Sequence, residues 1–477
     1  MSLERFDEAI GERLERAVVA HHRRRLRRIG QLGALDAPPG GWADVLPERG
    51  GNEVEVLVDG EAALPRIAEE IAGARSHVEL AGWHFAAGFR LEQPGGASLR
   101  ELLADAAQRI EVRVLVWAGS PLPLFRPYRA QVRRSMLELT EGTSIRCGLD
   151  ARERPMHCHH EKLVIVDGRV AFVGGIDLTD LAGDRFDRST HPARPSVGWH
   201  DAAVRLRGPA VADVSGHFRM RWREVTREAL GPPEPQEPVG QVAVQVVRTV
   251  PEHIYDAVPR GDFGILESYL RALRGAERLV YLENQFLWSP EVVDVLADKL
   301  RRPPGDDFRL LVVLPAKPNS GNDDTRGQLG ILLDADGGAG RFLACTLYQH
   351  GAPAVANAVY VHAKIGIVDD RWLTVGSANL NEHSLFNDTE MNVVLHDPAL
   401  ARATRLRLWA EHLECAQSEL QGDPTALLEA RWRPLADEQL ERLRRGEPLT
   451  HRLARLPHVS RRAGRLLGPV SGLLVDG

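Results

Sequence analysis

The chain has 477 residues, 43% hydrophobic and 26% charged, a composition that permits a large soluble core without disulfides or metals. Its net charge of -6 gives no support to a general nucleic-acid binder. The four cysteines, Cys147, Cys158, Cys345 and Cys415, are scattered with no CxxC pair, which argues against a disulfide framework and fits free thiols in a reducing compartment.

The length favours two large domains or one duplicated unit. Residues 1–51 read as a helical arm, amphipathic through Leu14, Val18 and Val19, with an Arg-rich stretch at 21–28 that ends before Pro38-Pro39-Gly40-Gly41. The early acidic residues Glu4, Asp7, Glu8 and Glu12, with no apolar run behind them, do not form a secretory signal. No stretch is apolar for long enough to span a bilayer. The expected location is cytoplasmic, with peripheral membrane contact through basic termini left open.

From Val54 two halves repeat one order of elements. The first, 52–230, has a strand at 54–58, a helix through Ile67 and Ile71, a strand ending at Trp83, a helix at 99–107 and a strand at 112–116. The second, 241–425, answers with strands at 242–247, 279–282 and 310–314 and helices through Leu266 and Leu270 and over 291–300. Strands alternating with helices predict an α/β fold. A proline-rich linker, 231–240, separates the halves, and 426–477 read as a basic helical tail containing Arg442, Arg444, Arg445, Arg452, Arg455, Arg461, Arg462 and Arg465.

Each half then reaches the same constellation. His160-Glu161-Lys162 runs through apolar 163–166 to Asp167 and on to Gly174-Gly175; His362-Ala363-Lys364 runs through 365–368 to Asp369 and on to Gly376-Ser377. Residues two apart on a strand share a face, so each His projects beside its Lys. The chain holds only four lysines, Lys162, Lys299, Lys317 and Lys364, and two of them sit in these motifs. A compact ammonium is retained where guanidinium, used almost everywhere else, would not serve.

The doubled His-x-Lys-x4-Asp motif resembles that of the phospholipase D superfamily over most of 52–425. It is most similar to the eukaryotic-type catalytic core in a minimal, bacterial-style form. Supporting segments are 174–178 with 185–187, Trp199-His200-Asp201, Glu283-Asn284-Gln285-Phe286 and 376–381. The resemblance implies two repeat-related α/β/α sandwich halves with mixed, largely parallel central sheets and the site at their interface. It implies phosphodiester cleavage through a phosphohistidine on His160, with His362 as general acid and base and phospholipid as substrate. Cardiolipin synthesis, nuclease activity and a lipid-binding pseudoenzyme are the alternatives. Lys162, Lys364 and Asn379 would hold the phosphate oxygens.

Asp201 and Glu390 occupy matching repeat positions and are expected to orient the imidazoles. Asp167 and Asp369 are catalytic candidates whose simpler reading is to hold a local turn. Asp177 (the repeat partner of Asn379), Glu283, Asn284, Gln285, Gly175, Ser377 and His383 are substrate-binding candidates. Family members often carry arginine at the position of His383. No cofactor or metal is expected: the lysines supply the charge, and His157-Cys158-His159-His160 has no partner pair at zinc spacing. Both motifs lie on one chain, so a monomer can complete the site.

Overall fold

A computed structural model describes residues 3–92, 95–122, 126–181, 183, 185, 187–192, 197–317, 322–349 and 357–457. The first-half strands are β1 (Arg49–Val58), β2 (His77–Gly82), β3 (Glu111–Trp117), β4 (Arg146–Asp150), β5 (Lys162–Val166), β6 (Val170–Gly174), β7 (Trp199–His200) and β8 (Ala202–Arg207). Those that follow are β9 (Val242–Val250), β10 (Asp262–Phe263), β11 (Leu279–Glu283), β12 (Arg309–Val313), β13 (Phe342–Leu347), β14 (Tyr360–Val361), β15 (Ile365–Val368), β16 (Trp372–Gly376), β17 (Glu390–Leu395) and β18 (Leu453–Arg455).

One 16-stranded sheet runs β18-β13-β12-β11-β15-β16-β17-β9-β1-β8-β6-β5-β2-β3-β4, with β10 beside β9. Read outward from the β1–β9 junction, the two arms have the same order, so the sequence repeat is also a repeat of topology. The α/β class and the mixed sheet are as expected, but the parallel bias is not. Parallel pairing within this sheet is confined to β2–β3–β4 and β11–β12–β13, and every other neighbouring pair is antiparallel. The reason lies in the connections. Helices such as Leu99–Ala107 and Pro290–Arg301 carry the chain between parallel strands, whereas each motif strand turns straight back through a short hairpin, β5 to β6 and β15 to β16.

The motif strands are buried on both faces. Leu163 and Ile165 face an apolar cluster that continues through Val244 to Ile365 and Met391 and is closed by Phe218, Trp222, Trp409 and Trp432. Val164 and Val166 point the other way, into a core lined by Leu64, Ile67 and Leu103. This two-sided burial fits the apolar runs read from sequence.

The N-terminal helix, Leu3–Ile29, docks on the second half: Leu26 is fully buried in that core, and Arg25 Nε donates to Glu252 Oε1 at 2.7 Å. The tail is not uniformly helical. Its helix Arg433–Arg445 stops at Gly446 (φ 69°), and β18 then covers the open edge of β13, burying Leu453 and Ala454. Arg442, Arg445 and Arg455 are paired with Glu438, Glu441 and Asp437, while 458–477, including Arg461, Arg462 and Arg465, lie outside the described residues. No described helix is long and apolar enough to cross a membrane.

Candidate active site

The two motifs meet across the junction of the halves, and the carboxylates are exchanged. His160 Nδ1 lies 2.9 Å from Glu390 Oε1 of the second half, and His362 Nδ1 lies 2.7 Å from Asp201 Oδ2 of the first. The backbone repeats the exchange. The amides of His160 and Glu161 donate to the Thr389 carbonyl (2.9 and 3.1 Å), and those of His362 and Ala363 to the His200 carbonyl (2.8 and 3.0 Å). Each acid begins immediately after the residue whose carbonyl anchors the opposite motif. Held at Nδ1, both imidazoles present Nε2 to the site.

Lys162 and Lys364 each donate back to their own histidine's carbonyl, Lys162 at 2.6 Å, which places the ammonium beside the ring. Gln285 Oε1 accepts from both Lys364 Nζ and Asn379 Nδ2 at 3.2 Å, so β11 delivers a group that ties the second-half lysine to the amide. On the first-half side Asp177, the repeat partner of Asn379, lies 3.8 Å from Lys162 and 3.8 Å from Arg185. Arg185 stacks on Trp199 at 3.4 Å from the ring centroid, and the Trp199 ring leans on His362 at 4.4 Å.

Burial sets the charges. It pushes His362 well below its ordinary value, helped by Lys364, Arg185 and Lys162, so the free site holds this ring neutral. It also pushes Lys364 down to about 7, against the pull of Asp201, and Asp201 up to about 6, against the pull of Lys364.

The repeat is asymmetric at its glycine. Ser377 donates to Glu390 Oε2, and Ser384 Oγ donates to Oε1 at 2.6 Å. At the matching position Gly175 has no side chain, and a Cβ there would lie 2.2 Å from Asp201 Oδ1. The shorter aspartate fills the space that a serine occupies in the other half.

Several sequence candidates lie elsewhere. Asp167 and Asp369 are not at the site: each sits one strand length away, about 16 Å at the rise of a β-strand. Asp167 accepts from the amides of Arg75, Ser76 and His77 (3.0, 2.7 and 3.1 Å), and Asp369 from those of Glu277, Arg278 and Leu279 (2.8 Å each). Glu283 is not on the rim either. It is fully buried, bonded to His200 Nε2 at 2.7 Å and His412 Nε2 at 2.8 Å, in a network that also holds Asp59, His191 and Glu411. There burial alone would depress His191, but Asp59, Asp187 and Glu411 outweigh it and hold the ring up at about 9. Asn284 caps the backbone, accepting from Phe286 and Leu380 at 3.1 Å. His383 stands with His157, their Nδ1 atoms 2.9 Å apart.

Arg185 and Ser384 were not singled out from sequence for the site. Arg185 carried no repeat partner to mark it, and Ser384 has its role only because a π-helical turn, His383–Asn387, folds it back on Glu390.

A phospholipase D family model matches residues 346–456, which contain the second motif. Major cardiolipin synthase ClsA of Bacillus subtilis (strain 168) is 25% identical over 74% of this chain and 67% of its own length. Phospholipase D A of Dictyostelium discoideum is 23% identical over 77% of this chain, and phospholipase D2 of Bos taurus 24% over 74%. The chain spans only 36% and 50% of the lengths of those two proteins. The phosphatidylserine synthase of Haemophilus influenzae Rd KW20 shares the fold, with a TM-score of 0.52 at 12% identity over 84% of this chain and 96% of that one. The fold and the paired motifs thus define an enzyme of phosphodiester chemistry. The chain belongs to the phospholipase D superfamily.

Proposed function

We propose that this protein is a phospholipase D that cleaves the head-group phosphodiester of glycerophospholipids, passing phosphatidyl to water or an alcohol. The observation that carries this reading is the pair of exchanged contacts, His160–Glu390 and His362–Asp201, with Lys162, Lys364 and Asn379 between them.

In this reading Lys162, Lys364 and the Asn379 amide hold the non-bridging oxygens. His160 Nε2 attacks phosphorus and forms a phosphohistidine, while Glu390, held by two serine hydroxyls, stabilises the cation that develops on the ring. The leaving alkoxide takes a proton from His362. His362 is neutral in the free site because nearby cations repel its proton. A bound phosphodiester offsets that charge, so substrate itself raises the acid's proton affinity. His362 then takes a proton from water or alcohol, whose oxygen attacks phosphorus and releases His160. The choice of His160 as nucleophile rests on family resemblance and on exposure: 7% of His160 is exposed against 3% of His362. Asp177, Gln285, Gly175 and Ser377 shape the rim and floor of the same site, whose walls are the halves 52–230 and 241–425.

A second reading, phosphatidyl transfer of the cardiolipin synthase type, is favoured by the Bacillus relative, which this chain covers over two thirds of its length. Purified protein incubated with phosphatidylcholine, phosphatidylglycerol and single-stranded DNA separates these readings. Choline with phosphatidic acid supports the first, and cardiolipin from phosphatidylglycerol the second. Cleavage of DNA alone would sink both.

A further inference from the structure

Each end of the site carries a second histidine cluster: His200, before Asp201, is tied to Glu283 and Asp59, and His157 and His383 stand together beside His160 and Glu390. His157 Nδ1 lies 2.9 Å from His383 Nδ1 and 3.5 Å from Asp388 Oδ1, and the ligand atoms of all three residues lie within 4.8 Å of one another. His383 and Asp388 are buried at 2% and 1% exposure, and Asp388 Oδ2 accepts no hydrogen bond among the described residues. Asp388 Oδ1 is fixed by the Cys158 amide at 2.8 Å, so the carboxylate is aimed by the backbone.

Two imidazole nitrogens facing each other at this distance share one proton or one metal ion. Donors on a tetrahedral zinc-sized ion at 2.0–2.1 Å stand about 3.3 Å apart, which these separations bracket. Two histidines and a carboxylate are also the donor set that such ions take when one position stays open. Here the His157 side chain keeps 17% of its surface, so the remaining position faces solvent.

The repeat shows that the fold does not need this cluster. The offset that matches His160 to His362 (362 − 160 = 202) pairs His157 with Val359 and His383 with Leu181, and the offset that matches Asp201 to Glu390 (390 − 201 = 189) pairs Asp388 with Trp199. Two of the three counterparts are aliphatic and the third is an indole, and none can ligate a cation. At these three positions, polar ligands stand where the loop leading to His160 meets the loop leading to Glu390, and apolar or indole side chains stand at their counterparts.

We propose that His157, His383 and Asp388 bind one divalent transition-metal ion of the zinc class. The ion staples the loop before His160 to the loop before Glu390, and with it one half of the molecule to the other. His157 lies three residues before His160, and Asp388 two before Glu390. The ion therefore holds the imidazole and its carboxylate in register while contributing nothing to the chemistry directly. The pairing is invisible in the local sequence, because the partners of His157 stand 226 and 231 residues away, the first of these separations being that of the two rings.

The test is Co2+ titration of the full chain, stripped with chelator and followed by the visible ligand-field absorption of the bound ion. The reference is the double variant His157→Val, His383→Leu, which copies the repeat partners. Wild type should take up one more equivalent of Co2+ than the double variant, and Zn2+ should displace it. Added Zn2+ should raise the melting temperature of wild type by several degrees and leave that of the variant unmoved. Circular dichroism and the chelator-stripped melting temperature establish that the variant is folded. Should it not fold, the single variant His383→Leu serves as the reference. Equal Co2+ uptake by wild type and folded variant overturns the proposal and leaves a proton-sharing histidine pair.

Discussion

At the scale of single residues, the exchanged acid–imidazole pairs give the sharpest expectations. His160→Asn and His362→Asn should each lower kcat by roughly 10⁴-fold, the range seen when one member of a catalytic set is removed. Retention of a tenth of wild-type turnover in either variant would contradict the two-histidine reading. The pH dependence follows from burial. On the proposed mechanism Asp201 must be ionised to orient His362, and burial has raised it to about 6; Lys364 must be protonated to bind phosphate, and burial has lowered it to about 7. In the free enzyme kcat/KM should therefore rise through the first value and fall through the second, giving a narrow bell. Lys364→Arg should erase the alkaline limb, since guanidinium stays charged, and lower the plateau because a fork does not fit beside Gln285 and Asn379. The glycine asymmetry is testable in the same way. Gly175→Ser, which copies Ser377, drives a Cβ into Asp201 and should abolish activity, whereas Ser377→Ala removes one of two hydroxyls on Glu390 and should cost roughly tenfold. Equal losses in the two variants would show that the halves are not specialised.

At the scale of elements, the motif divides its labour between the two ends of one strand. His and Lys open at the site, and the acid, one strand length on, gathers three amides ahead of β2 or β11. Asp167→Ala leaves those amides to solvent and should lower stability by roughly 1–3 kcal/mol in denaturant titration. The kcat per folded molecule should stay near wild type; a fall of a hundredfold would return Asp167 to the catalytic group. The strand runs, the helix over 99–107 and the His-Lys pairs were legible because each rests on local periodicity or spacing. Asp201 and Glu390 were legible as a repeat-matched pair. Their exchange was not, since no local pattern says which half a side chain will serve. Glu283 failed for the same reason. It is the last residue of β11, and it joins the buried network with His200 and His412, whereas Gln285 lies beyond the end of the strand and turns to Lys364 and Asn379. Residues 453–455 read as tail because the partner they cover, β13, is a hundred residues away.

At the scale of the molecule, the sheet does not stop between the halves. β1 pairs with β9, and the amides of Val239 and Gly240 reach the Gly51 carbonyl at 2.9 and 3.1 Å, so the proline-rich linker is drawn onto the junction rather than left as a free hinge. One apolar cluster underlies both arms. Unfolding should therefore be a single calorimetric transition with matching calorimetric and van't Hoff enthalpies. Two resolved transitions, or an independently folded fragment covering 52–230, would show that the junction is weak.

The exchange of carboxylates also orders events in time. Glu390 follows His160 by 230 residues. At roughly 5–20 residues per second, the first motif leaves the ribosome roughly ten to fifty seconds before its orienting acid exists. Throughout that interval, and in any chain broken off before Glu390, a complete His-x-Lys-x4-Asp segment is present with no carboxylate to aim its imidazole. On the proposed function, the nucleophile is thus kept unarmed during synthesis, because each half carries the carboxylate that aims the other's histidine.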